Sequence, residues 1–474
     1  MTQIHDLTVL ELAAAVRQRE LSPSEITGHY LDRIERLNAD VGAFYTVTAD
    51  LAREQAGEAE KALARAEDPR ALPPLTGVPI PIKDLNMVAG VRQTLGSLAF
   101  ENNVPAEDDF VTAQLRAAGA VITGKTATPE FGLPCYTETA IGPPARTPWD
   151  LGRSAGGSSG GAGAAVAAGL APAAQGSDGG GSIRIPSSVC GLFGIKPSRG
   201  RVSSAPLMPD LMGLGVDGPL ARTVADAALL LDVMTGNQPG DMYTQPPLPP
   251  GQSFLGYARR EPGRLRIGRT LEHAVDGAEV DPDCVAAYEE ASALLAGLGH
   301  EVVDIAPPFG AEVVPAFETL WYAMATLAPV DPSQEDRLLP LTRYLRGRGT
   351  ALGAQDLILA QAYLQLTVRA AWKTLNDYDA VLTPTLASPP VPVGYFDEVE
   401  PAENFERQKR FTPYTAVYNV TGQPAVSLPL HWTEGGLPVG VMLAGRMGDE
   451  ATLISLSAQV EAARPWHDRH PSLW

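Results

Sequence analysis

The chain has 474 residues, with 55 acidic against 36 basic side chains and a formal charge of −19. That balance argues against nucleic acid and against an anionic membrane surface as partners, because both need a basic face. Hydrophobic residues make up 45% of the sequence and run along its whole length, enough to bury a large core. The 47 glycines and 42 prolines exceed average usage, and with apolar residues throughout they point to a turn-rich globule rather than to disorder. Cys135, Cys190 and Cys284 are odd in number and far apart, so they form neither a disulfide framework nor a zinc spacing, and a reducing compartment is expected. The N-terminus lacks a basic region followed by an apolar one, so a cytoplasmic location is expected.

In chain order, the first 66 residues read as helices. Ser22-Pro23-Ser24-Glu25 combines an N-cap, a proline at the first helical position and an acid completing a capping box. A polar-faced helix is expected at 53–66. From residue 75 the period changes, and Leu75-Thr-Gly-Val-Pro-Ile-Pro-Ile82 reads as a short buried extended segment leading into Lys83 and Asp84. A helix at 109–118 and a strand at 120–123 begin an αβ alternation. It continues with a helix at 222–236, a strand at 264–268, a helix at 281–298 and a strand at 300–305. Residues 309–376 read as mainly helical. Strands follow at 379–383, 425–430 and 438–443, and a final helix at 449–463. The proline-rich stretches 246–252 and 389–392 are surface connections too short to be domain linkers. The expectation is one α/β domain across residues 1–474. Within it, N-terminal helices occupy about 8–66, a core about 75–236, a helical insertion about 309–376, and a C-terminal sheet and helix about 379–466.

Several patterns need weighing. Gly119-Ala-Val-Ile-Thr-Gly124-Lys125-Thr126 matches a phosphate loop by letter, but its spacer is strand-like and Pro129 interrupts the stretch after it, so the strand–loop–helix context is missing. Gly213-Leu-Gly215-Val-Asp-Gly218 matches a dinucleotide pattern but runs straight into Pro219 without a βαβ unit, and reads as a loop. Asn419-Val-Thr421 is only a formal glycosylation sequon. The seven histidines form no metal spacing, so no metal and no cofactor is expected. Residues 154–177 carry no charge, yet they are mostly Ala, Gly and Ser and too weakly apolar for a membrane span.

The segment from 153 to 187 carries the strongest signal. Ser158 and Ser182 each lie on a glycine-dense turn, with an Ala-rich helix between, and ten of the 47 glycines fall between 156 and 181. Gly179, Gly180, Gly181 and Ser182 offer consecutive backbone N–H groups suited to a developing oxyanion. Ser182 is a natural nucleophile but needs a base. Only His5 and His29 precede residue 273, and neither lies near a strand end. Lys83, after the apolar run 80–82, fits, since burial lowers a lysine pKa. A flexible glycine-serine linker is the competing reading; charged Asp178 and Arg184 and the apolar helix weigh against it.

These residues resemble the amidase signature family. Its Gly-Gly-Ser-Ser-Gly-Gly and Gly-Gly-Ser-Ile-Arg turns stand at 156–161 and 179–184. Its lysine motif is similar to Gly77-Val-Pro-Ile-Pro-Ile-Lys83-Asp84, and further blocks stand at 124–132, 194–200, 379–385 and 419–425. The resemblance runs from about residue 8 to 466. It implies a central twisted mixed sheet covered by helices on both faces. It also implies a triad of Ser182 (nucleophile), Ser158 (bridging, after a cis peptide) and Lys83 (base). An oxyanion hole at Gly179, Gly180, Gly181 and Ser182 is implied as well, with Ser159, Asp178 and Arg184 as supports. Ser177 stands where the family commonly has Thr, Thr147 where Asn is common, and Met442 where Gln is frequent.

The activity implied is hydrolysis of amide C–N bonds through an acyl-enzyme, extending to aryl carbamates (urethanes) and esters. The chain is similar to stand-alone bacterial amidases of the nylon-oligomer hydrolase and urethanase type. The expected partner is a small-molecule amide or carbamate, and the expected state a monomer or homodimer. The alternatives are the amidase subunit of a tRNA-dependent amidotransferase and a catalytically silent small-molecule-binding protein. The expected pocket walls are 131–146, 203–217 and 317–350, with Trp321, Tyr322, Leu338 and Leu339 serving as either wall or core.

Overall fold

A computed structural model describes residues 3–206 and 209–474. Eleven strands are described among these residues: β1 (Phe44–Val47), β2 (Ile82–Lys83), β3 (Gly124–Thr126), β4 (Ala173–Asp178), β5 (Phe193–Lys196), β6 (Val216–Ala221), β7 (Arg266–Arg269), β8 (Glu301–Asp304), β9 (Ala380–Pro384), β10 (Ala425–Trp432) and β11 (Pro438–Gly445). Eight form one mixed sheet in the order β4-β6-β5-β10-β11-β9-β7-β8; the other three form a small sheet, β1-β3-β2. The fold is thus the expected mixed α/β domain, but with two sheets rather than one.

The N-terminal helices begin where their caps dictate. Ser22 Oγ accepts from the Glu25 N–H (3.1 Å) and the Glu25 carboxylate accepts from the Ser22 N–H (2.8 Å), starting the helix Pro23–Val41. That helix buries Ile26, Tyr30 and Ile34 on one face, the spacing of a 3.6-residue period. The central strands β10 and β11 are buried almost throughout, as expected of strands covered on both faces. Val426, Leu428 and Leu430 join the core formed with helices Pro282–Gly297 and Glu450–Ala463. Ser427 and Gly440 turn toward the helix Arg184–Cys190, whose Ser188 hydroxyl accepts from the Gly440 N–H at 2.9 Å.

Most expected elements are present within a few residues. The helix expected at 53–66 runs from Ala49 to Arg65, and residues 309–376 hold the helices Val313–Ala325, Pro340–Thr350 and Ala354–Leu375. Three corrections stand. The strand expected at 120–123 lies at β3; residues 118–121 do run parallel to 75–80, with Val121 N–H on the Val78 carbonyl at 2.9 Å, but regular pairing starts with Lys125 opposite Ile82. Residues 213–218 are not all loop, because β6 starts at Val216 and pairs antiparallel with β4, Asp217 opposite Ser177. The strands β1, β4, β5 and β6 were not foreseen, and β1 interrupts the first 66 residues expected to be helical. β4 and β6 are poor in β-formers, and partners distant in sequence make them strands.

The false phosphate loop ends as buried β3 and leads into a 3-10 turn at Glu130–Gly132, so it does not run into a helix as a phosphate loop does. The uncharged segment 154–177 becomes a fully buried helix, Gly160–Ala167, followed by β4. Among the described residues, no helix is long and apolar enough to cross a membrane.

Candidate active site

The site lies where the two sheets meet. Strand β2 of the small sheet runs beside the edge strand β4 of the large one, with the Gln175 N–H on the Pro81 carbonyl (3.3 Å) and the Lys83 N–H on Gln175 Oε1 (2.8 Å). Val78, Ile80 and Ile82 are fully buried in the main core. By strand alternation Lys83 then points to the opposite side, into the junction.

There Lys83 is 0% exposed. Its Nζ donates to Ser158 Oγ at 2.8 Å, Ser177 Oγ at 3.0 Å and the Ser177 carbonyl at 3.3 Å. Burial pushes its pKa from the ordinary lysine value down to about 7, against the opposing pull of Asp217 and Asp178. Ser158 follows a cis peptide bond at Gly157–Ser158.

The glycines of the first turn and its helix are explained by close approach. A Cβ on Gly161 would lie 2.2 Å from the Ala127 nitrogen and 2.5 Å from the Ala43 carbonyl oxygen. The small residues therefore let this helix press against the backbone of the small sheet. Ser159 ties the two turns together: its N–H donates to the Ser182 carbonyl (3.1 Å), and its hydroxyl bonds the Ser177 carbonyl (3.1 Å) and accepts from the Ser177 N–H (3.2 Å).

The second turn follows β4. Gly181 has φ +136°, and a Cβ there would meet Thr415 Oγ1 at 2.5 Å, so glycine is required on two counts. Asp178 organises this turn: its carboxylate accepts from the N–H groups of Gly181 (2.7 Å) and Ile183 (3.1 Å) and faces Arg184 through Nε (3.0 Å) and Nη2 (2.9 Å). Both partners are fully buried. Burial opposes ionisation of Asp178, but Arg184 overrides it and holds the carboxyl well below the usual carboxylate range. The Gly181 N–H is therefore engaged. The N–H groups of Gly179, Gly180 and Ser182 make no hydrogen bond among the described residues.

Sequence reasoning missed the rest of this scaffold. Asn419, 1% exposed, donates to Asp178 and accepts from Arg184 Nη2 (2.6 Å). The Thr415 carbonyl accepts from Arg184 Nη1 (2.8 Å), and the Thr415 hydroxyl donates to the Gly180 carbonyl (2.6 Å). Met442 Sδ lies 3.3 Å from Arg184 Nη1. The formal sequon is thus a clamp on the turn, and the one signal for it was its place in a motif block.

The Ser182 hydroxyl makes no hydrogen bond among the described residues, and the residue lines a cleft of about 790 Å³ that is partly open to solvent. Pro134, Ile185, Val313, Phe317, Trp321 and Val417 are among its walls. Of the expected wall segments, 131–146 contributes through Leu133, Pro134 and Cys135, and 317–350 through Phe317 and Trp321. Tyr322, Leu338 and Leu339 do not line it; Tyr322 and Leu338 are core residues. The described part of 203–217 does not line it either, and residues 207 and 208 lie outside the described residues. Its place is taken by 405–420, a stretch with no pocket signal of its own. Among the described residues no group of three or more His, Cys, Asp or Glu gathers to hold a metal, and the three cysteines are buried and free.

The amidase family model matches residues 25–454. AmiB2 of Mycobacterium tuberculosis is 40% identical over 475 residues, covering 99% of this chain and 100% of its own. The acylamidase of Rhodococcus erythropolis is 34% identical over 481 residues, covering 99% and 98%. The solved structure of 6-aminohexanoate cyclic dimer hydrolase complexed with substrate matches with a TM-score of 0.90 at 30% identity over 99% of each chain. The chain therefore belongs to the amidase signature family and is a hydrolase of amide carbon–nitrogen bonds.

Proposed function

We propose that this hydrolase works through a Ser182–Ser158–Lys83 relay on hydrophobic or aromatic amides, and on aryl carbamates and esters as well. The observation that carries the reading is the buried Lys83 amine hydrogen-bonded to Ser158 at 2.8 Å, beside a serine that opens on an apolar cleft.

Neutral Lys83 takes the Ser158 proton as Ser158 takes that of Ser182, and Ser182 Oγ bonds to the substrate carbonyl carbon. A substrate carbonyl entering the turn brings the Ser182 hydroxyl toward Ser158; such contacts commonly tighten only in the complex. The tetrahedral oxyanion sits on the N–H groups of Gly179, Gly180 and Ser182, each worth about 3 kcal/mol. The Gly181 N–H stays on Asp178 and holds the turn. The C–N bond then breaks, the amine leaves with the proton returned from Lys83 through Ser158, and the acyl group stays on Ser182. Water attacks this ester by the same relay, releasing the acid and restoring the Ser182 proton. An aryl carbamate presents the same carbonyl carbon; expulsion of its amine leaves a carbonate on Ser182, expulsion of its alcohol leaves a carbamoyl group there, and water hydrolyses either one likewise.

The test is a turnover panel of aryl amides, linear aliphatic amides, glutamine and aryl carbamates, with mass analysis of enzyme quenched during turnover. Wild type is expected to favour aryl substrates and to carry an acyl adduct on the peptide containing Ser182. Ser182→Ala is expected to lose turnover by at least about 10⁴-fold and to carry no adduct. Unchanged turnover in that variant, or an adduct elsewhere, overturns the nucleophile. A preference for glutamine overturns the apolar substrate class.

A further inference from the structure

A half-buried acid beside the relay has no part in it. We propose that Asp217 on β6 is a positioning residue that sets the protonation balance of Lys83 from behind the site. The inference rests on Lys83 being the base of the proposed reaction.

Three observations place it there. Asp217 is paired directly across from Ser177 on β4. Residues opposite each other in an antiparallel pair share a face, with Cβ atoms about 5 Å apart. Ser177 is the residue whose hydroxyl and carbonyl hold Lys83 Nζ. A second connection runs through Gln175, whose Oε1 accepts from the Lys83 N–H (2.8 Å) while its Nε2 donates to Asp217 Oδ1 (2.8 Å). Asn86 closes the ring: its Oδ1 accepts from Gln175 Nε2 (2.9 Å), and its Nδ2 donates to Asp109 Oδ2 (2.8 Å) and, at 3.4 Å, to Asp217 Oδ2. A carboxylate held by two amides and no arginine or lysine is uncompensated at hydrogen-bond range, so its field reaches Lys83.

The charged groups around the pair are few. Lys83 is faced by Asp217 from β6 and by Asp178 from β4, and Asp178 is already committed to Arg184. Asp217 is faced by Lys83 and by Asp109, which caps the helix Phe110–Ala117. Asp84 and Lys125 pair with each other at 3.2 Å, both fully buried. Burial and Asp109 push the Asp217 carboxyl up to about 7, beside a lysine brought down to about 7. The two groups therefore exchange charge over the same pH range, and ionised Asp217 favours the ammonium form of Lys83.

Each substitution then has a definite sign. Asp217→Asn removes the charge that favours the Lys83 ammonium, so Lys83 is neutral to lower pH. The ascending limb of kcat/KM, measured on a 4-nitroanilide, is expected to move down by about one pH unit. Asp109→Asn keeps a capping side chain but removes the charge opposing Asp217 ionisation. Asp217 then ionises more readily, and the limb is expected to move up. A purely structural loss lowers rates without moving the two limbs in opposite directions. Limbs that stay at the wild-type midpoint in folded variants, or that move the same way, overturn the proposal. If Asp217→Asn does not fold, the upward shift in Asp109→Asn decides alone. A wild-type ascending limb that survives in Lys83→Met overturns the base assignment itself, which separates the two failures.

Discussion

Two buried cations stand on opposite sides of the turn that carries Ser182, and the protein treats them differently. Arg184 donates two hydrogen bonds to one carboxylate, one to the Asn419 amide oxygen and one to the Thr415 carbonyl. Lys83 is met by two hydroxyls and a carbonyl, with no carboxylate in hydrogen-bond range. Both are fully buried. A buried charge that is paired and fully hydrogen-bonded becomes scaffold. One given only neutral partners is brought into the range where it gains and loses a proton near neutrality. The same burial thus yields a fixed support on one side of the turn and a titratable group on the other.

The largest effect that tests this difference is on the lysine. Lys83→Met keeps an apolar stem and removes the proton acceptor, and turnover of an aryl amide is expected to fall by about 10³-fold. In wild type, kcat/KM is expected to rise with pH through about 7 and then level off, because below that value Lys83 is an ammonium and cannot accept the Ser158 proton. The rising limb is expected to vanish in the variant. A variant that keeps wild-type turnover places the base elsewhere.

The second effect tests the scaffold side. Asp178→Asn leaves Arg184 buried without its counter-charge and weakens the hold on the Gly181 and Ile183 N–H groups. Urea unfolding is expected to show a loss of about 3 kcal/mol, with activity falling as the turn loosens. If stability is unchanged while activity collapses, Asp178 belongs to the chemistry and the contrast between the two cations fails.

Legibility in the sequence divides along the same line. Lys83, Ser158 and Ser182 were readable because each sits in a short pattern whose composition is unusual: an apolar run ending in a lysine, and glycine-dense turns around a serine. Asp178 and Arg184 were readable as supports from their place beside the second turn, but their pairing was not. Asn419 and Thr415 were not, since they reach the turn from more than 200 residues away and only the fold brings them there. Strands β4 and β6 were hidden for a related reason: Ala173–Asp178 and Val216–Ala221 have little β-propensity and are held by each other. The cleft walls were half readable. Phe317 and Trp321 lie on an expected helical stretch, but the contribution of 405–420 depends on how that stretch packs beside the Ser182 turn.

The smallest effect concerns that wall. Trp321 stacks on Phe317, with ring centroids 5.4 Å apart, and a Cβ on Gly180 would lie 3.4 Å from its ring. The indole thus bears directly on the turn proposed to hold the carbonyl oxygen. Trp321→Phe keeps an aromatic face and removes part of the surface, leaving room beside the turn. Discrimination between bulky aryl amides and short aliphatic amides is expected to change by about tenfold, the range of small volume changes in an apolar pocket. The ascending pH limb is expected to stay in place, because no group facing Lys83 has changed. A moved limb would mean that the cleft wall and the proton relay are electrostatically coupled, and that the apolar side of the turn also sets the charge of the base.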